Sequence, residues 1–244
     1  MRQIVLLLLT LVAFAGNALA EEDVHWTYSG EHGPEHWGEL SKAFVTCKEG
    51  KSQSPIDIVD PIDRELDPIV FSYRGSTTAV VNNGHTLQID AGRDNTLEVD
   101  GQTFKLLQFH LHSPSEHRIE GESFPLEIHF VHQNDRGKRA AVSLLFRLGD
   151  RNRAMATIGS AAPEKAGTSK PLDTPIASLE IVPKNTAHYR YSGSLTTPPC
   201  TEGVLWLVVK AVGSVSKEQV ANFVRIIGED ARGPQPLNGR QVVH

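Results

Sequence analysis

Residues 108–132 read QFHLHSPSEHRIEGESFPLEIHFVH. The stretch holds five of the chain's eleven histidines: His110, His112, His117, His129 and His132. On a β-strand, alternate side chains share a face. In residues 105–112, Leu107, Phe109 and Leu111 alternate with Gln108, His110 and His112. That spacing predicts one apolar face and one imidazole-bearing face. In residues 126–132 the same rule places Glu127, His129 and Val131 on one face, and Ile128, Phe130 and His132 on the other. Two such strands lying side by side bring His110, His112 and His129 to one point.

Three neutral imidazoles with a fourth position open form the ligand set of a catalytic zinc site. A ligating histidine usually gives its other ring N–H to an acceptor, which fixes its tautomer. Gln108 stands two residues before His110, and Glu127 two before His129. Each shares its histidine's face, so each is a candidate acceptor. The simpler reading is a pair of ordinary strands with surface histidines. H-x-H alone would not displace it, but a third histidine and two polar partners on shared faces do.

The motif QFHxHxPSEH followed by ExHxVH resembles the α-class carbonic anhydrases in their bacterial form. Further matches run in order from Tyr28 to Arg240: WxYxGxxGPxxW from Trp26, SQSPIDI at 52–58, NNGH at 82–85, SLTTPP at 194–199 and QPLNxR at 235–240. The resemblance implies a CO2-hydrating zinc enzyme with a central, mainly antiparallel twisted sheet of about ten strands and a few short peripheral helices. It implies that His85 shuttles protons, a role suited to a group with an unperturbed pKa near 6.5. It implies that Thr196 donates to a buried Glu116 and orients the nucleophile, with Thr197 beside the bicarbonate position. Val131, Leu195 and Trp206 would form the CO2 pocket, and either Ala141 or Val142 would join them. Tyr28 would line the cavity floor, Gln88 would be a polar cavity residue, and Tyr191 and Glu202 structural partners. Taken alone, His85 is a turn histidine and Glu116 a solvated loop carboxylate. Only the resemblance reverses those readings. Gly233 stands where the family pattern has proline, a departure expected to touch a structural segment and not the chemistry.

The 244 residues, 39% hydrophobic and 22% charged, suit a single large globular domain. The net charge of −5 gives no basic surface for nucleic acid. Residues 1–20 read as a leader: Arg2, an apolar run from Ile4 to Ala15, then Ala18-Leu19-Ala20 as a small-x-small cleavage signal. The run is shorter than the ~20 residues a membrane span needs. The expected mature domain is therefore 21–244, exported to the periplasm or secreted, with no membrane span and acting as a monomer or homodimer. Export and an even cysteine count predict a Cys47–Cys200 disulfide. Closing a loop of that length would stabilise the fold by roughly 5 kcal/mol in the chain-entropy account.

Short strands are expected at 69–73, 78–82, 86–90, 96–99, 139–148 and 204–211, with turns between them. Short helices are expected near Glu35–Leu40 and Arg151–Ile158. Ser216 with Gln219 three residues later predicts a capping box opening an amphipathic helix. Two other functions fit parts of the pattern. One is a non-catalytic binding module, which a missing ligand histidine would favour, yet all three are present. The other is a general zinc hydrolase, but the chain has no HExxH motif.

Overall fold

The computed structural model describes residues 24–244. The expected leader, residues 1–20, lies outside them. The strands are β1 (Asp57–Ile58), β2 (Val70–Tyr73), β3 (Ala79–Asn82), β4 (Leu87–Asp90), β5 (Asn95–Val99), β6 (Gln102–His112) and β7 (Arg118–Ile119). They continue as β8 (Glu122–Ser123), β9 (Leu126–Gln133), β10 (Arg139–Leu148), β11 (Thr168–Pro171), β12 (His188–Ser194), β13 (Glu202–Val209) and β14 (Gly213–Val215). The helices are α1 (Trp37–Leu40), α2 (Thr46–Glu49), α3 (Arg153–Ala161) and α4 (Lys217–Ile227). Ser216 and Gln219 form the expected capping box.

Eleven strands make one sheet with the path β11-β3-β4-β6-β9-β10-β13-β12; β5 joins β6, β2 joins β5, and β14 joins β10. The sheet is mixed and not simply antiparallel, because β10 runs parallel to both β13 and β14. The parallel pair β10–β13 lies inside the edge strand β12, and burial suits it. Ala140 to Phe146 are all buried, and strands covered on both faces carry continuous apolar runs. One apolar cluster, including Ile89, Phe109, Ile128 and Phe223, fills the face toward α4. A second, including Ile56, Leu145, Tyr191 and Trp206, covers the opposite face.

Beside the histidines, Leu107 departs from the alternation expected of it. Leu106 pairs with His132 and Gln108 with Val131, so Leu107 is an extra residue in a β-bulge. It leaves the face of Phe109 and Leu111, lines the cavity beside Gln108 and His110, and is 48% exposed. Alternation predicts faces only while the ladder is unbroken.

Candidate metal centre

The β6–β9 register sets His110 opposite His129 and His112 opposite Glu127. One ring nitrogen from each of His110, His112 and His129 falls within 4.8 Å of the other two. The remaining nitrogens are occupied. His110 Nδ1 donates to Gln108 Oε1 at 2.9 Å, and His129 Nε2 to Glu127 Oε1 at 2.7 Å. His112 Nδ1 donates to the Asp230 carbonyl at 2.7 Å. The site therefore faces inward with Nε2 of His110, Nε2 of His112 and Nδ1 of His129. His112 Nε2 is buried with no hydrogen-bond partner among the described residues. A buried acceptor nitrogen left bare is costly unless something binds it. Burial holds the His110 pKa well below the ordinary value and takes His129 to about 4. Neutral imidazoles are what a metal requires. The donor set fits zinc.

Glu127 is fully buried and stays ionised. Burial opposes its charge, but His117 and His129 beside it hold its pKa well below the usual carboxylate range. Glu116, also buried, is pushed up to about 8 by burial and then by Glu127, with Thr196 and the Arg232 backbone N–H pulling the other way. Its Oε1 accepts from Arg232 N at 2.8 Å. Its Oε2 lies 3.6 Å from His112 Nε2 and 3.7 Å from His129 Nδ1. Glu116 is thus no solvated loop carboxylate.

Two cavities meet over the triad. The first, of 250 Å³, is walled by Val131, Ala141, Leu195 and Trp206 and floored by His110 and His129. The second, of 190 Å³, is polar and includes Tyr28, His85, Gln88 and His112. Gln108, His110 and Thr197 line both. Ala141 faces the apolar half, whereas Val142, fully buried, packs in the core behind the sheet. A larger cleft of 470 Å³ between α3 and α4 is lined by none of the residues expected to carry chemistry.

His85 follows an Asx turn in which Asn83 Oδ1 accepts from His85 N and Thr86 N, each at 2.9 Å. Its ring stacks on Trp26 at 3.7 Å and 6°. Burial, then His25, lowers its pKa. Cys47 and Cys200 are disulfide-bonded. Cys200 N donates to Thr197 O at 2.8 Å, which ties the bridge to the threonine loop. Tyr191 OH is shared with Ser54 and His117, and Glu202 accepts from Ser52 N and Gln53.

The C-terminal segment is where the sequence reading fell short. Asp230 and Arg232 reach His112 and Glu116 directly, so this segment does bear on the site. Arg232 itself is buried and bonds Gln53, Ser54 and Cys47. Gly233 has open space around its missing Cβ, so its replacement of proline disturbs nothing nearby. Asp230 contributes a backbone carbonyl, which no side-chain pattern announces. Ser143, buried on β10, donates to Glu127 Oε1 and also passed unnoticed within an apolar run.

Residues 32–244 match the family model for eukaryotic-type carbonic anhydrase. A carbonic anhydrase of Pectobacterium carotovorum is 42% identical over 93% of this chain and 94% of that protein. The α-carbonic anhydrase structure from Photobacterium profundum superposes with a TM-score of 0.87 at 43% identity, covering 90% of this chain and all of that one. The Thermovibrio ammonificans α-carbonic anhydrase, solved with the inhibitor sulfanilamide, gives 0.88 at 43% identity over 91% of this chain and 99% of that one. The chain belongs to the α, or eukaryotic-type, carbonic anhydrase family.

Proposed function

We propose that the protein is a zinc carbonic anhydrase that interconverts CO2 and water with bicarbonate and a proton. The observation that carries this reading is the triad itself: three inward imidazole nitrogens, their partners fixed by Gln108, Asp230 and Glu127, set where an apolar and a polar cavity meet. Zinc bound there supplies the Lewis acidity that makes water a nucleophile near neutral pH, chemistry for which carbonic anhydrase is itself the reference case.

The chain's own residues do the rest. Val131, Ala141, Leu195 and Trp206 form an apolar wall suited to a small uncharged gas. Thr196 lines the cavity beside the triad and gives its proton to Glu116, which the charge of a bound cation would hold ionised, leaving a lone pair for the attacking water-derived oxygen. Thr197, common to both halves, stands where bicarbonate passes between them. His85 carries the proton outward, with Tyr28 and Gln88 lining the route.

Residues 1–20 act as a cleaved leader and 21–244 as the exported domain, placed in the periplasm; the Cys47–Cys200 bridge supports an oxidising compartment. Among the described residues no helix is long and apolar enough to cross a membrane.

The test is stopped-flow CO2 hydration by residues 21–244 before chelation, after chelation, and after zinc is returned. Activity lost and then restored is the expected result. Stoichiometric zinc without hydration would refute the enzyme reading and leave a binding module.

A further inference from the structure

Among the residues lining the two halves of the cavity, only one carries an Asp, Glu, Lys or Arg side chain: Arg139. The strand register gives its depth. On β10, Ser143 lies opposite His129, Ala141 opposite Val131, and Arg139 opposite Gln133. Same-face positions are spaced about 6.7 Å apart along a strand. Arg139 is therefore two such steps outward from the triad, with Ala141 between. It opens β10 directly after the exposed turn at 134–138, at the rim of the apolar half. It is half-buried. The arginine–carboxylate pairs of the described residues are Arg147–Glu122, Arg190–Asp100 and Arg225–Glu164, and Arg139 belongs to none.

An arginine outside any ion pair is an unusual member of a lining that includes Leu107, Val131, Leu195 and Val204. It contributes nothing to holding a neutral gas. A planar cation does suit a small carboxylate-like anion, which it can bind with two parallel N–H donors. The chain is otherwise net negative. That net charge works against an anion approaching the cavity mouth, before it comes near the triad.

We propose that Arg139 is an anion-capturing residue at the cavity rim, which holds bicarbonate and small carboxylates on their way to and from the triad. The inference rests on the reading of the site proposed above, since bicarbonate is the only anion that reaction makes or consumes. Its effect is electrostatic, so it is strongest at low ionic strength and fades as salt screens the charge.

The experiment is calorimetric titration of acetate, and of neutral acetamide as a control, into the zinc-loaded protein and its Arg139→Gln and Arg139→Lys variants. Arg139→Gln is expected to weaken acetate about three- to tenfold at low salt, with Arg139→Lys recovering part of the loss. The gap should shrink in about 0.5 M salt, where the screening length is a few ångströms. Arg139→Gln should also lower kcat/KM for bicarbonate dehydration and CO2 hydration by one common factor, because the overall equilibrium ties the two directions. Unchanged acetate affinity, a loss that salt does not diminish, or an equal loss for acetamide would overturn the assignment. Acetate binding is read without turnover, so a protein that binds acetate through Arg139 and hydrates no CO2 would sink the proposed function alone.

Discussion

Glu127 Oε1 lies 2.7 Å from His129 Nε2, the nitrogen that faces away from the triad's centre. The same oxygen accepts from His117 Nδ1 at 2.6 Å and Ser143 Oγ at 2.5 Å. Oε2 accepts from the backbone N–H of Glu116 and of His117, at 2.7 and 2.8 Å. Five donors converge on one carboxylate with no exposure to solvent. Such a group is satisfied only while ionised, and it fixes which nitrogen His129 offers.

Glu127→Gln replaces an acceptor oxygen with an NH2 that meets N–H groups head on. Zinc affinity should fall about 10- to 100-fold, as for other groups that orient metal-bound histidines. Chelator competition at fixed pH measures it. Retention equal to wild type would show that Glu127 does not hold His129.

His85→Ala should slow CO2 hydration at low buffer concentration, and small imidazole buffers should restore part of the rate. The physical basis is a lost proton carrier that a diffusible one can replace. Stopped-flow rates across a buffer series decide it. A rate that no buffer improves removes His85 from proton transfer.

Ala141→Phe should fill much of the 250 Å³ apolar half and lower kcat/KM for CO2, while zinc content stays stoichiometric. Val142→Ala, by contrast, should act on stability, costing about 1–3 kcal/mol from the core behind the sheet. Kinetics and denaturant melts on the two variants separate a wall of the cavity from a piece of the core.

His132 gives a pH prediction away from the triad. It is fully buried; its Nδ1 faces the Ala140 carbonyl at 3.3 Å, and its Nε2 accepts from Tyr73 OH at 2.6 Å. Burial lowers its pKa to about 4. Unfolded, it titrates near 6.5, so between those values the unfolded chain binds the extra proton. Its stabilising neutrality is complete above about pH 6.5 and is lost as pH falls toward 4, at a cost of about 3 kcal/mol. His132→Gln cannot titrate. The stability difference between wild type and this variant, measured on chelated protein, should shift against wild type by that amount across the window. A constant difference would show that His132 does not couple to acid unfolding.

Much of the site was legible in the chain because strand geometry is local. Period-two alternation alone put His110 with Gln108, and His129 with Glu127, and the structure brings these pairs within hydrogen-bond distance. The strands at 70–73, 79–82, 87–90 and 95–99, and the helix after Ser216, fall within a residue or two of where turns and caps placed them. The short polar segment around Glu116 carried no such signal, and only its likeness to a known motif pointed to burial.

Tertiary structure decided what depends on partners distant in the chain. Asp230 supplies the acceptor for His112 from 118 residues away, through a backbone carbonyl that every residue possesses. The bulge that turns Leu107 into the cavity arises from a mismatch between two strands, and neither strand's pattern contains it. Whether Ala141 or Val142 faced the site depended on which face β9 and β13 presented to β10. Alternation along a strand determines which residues stand together, and packing against the rest of the chain determines what they stand against.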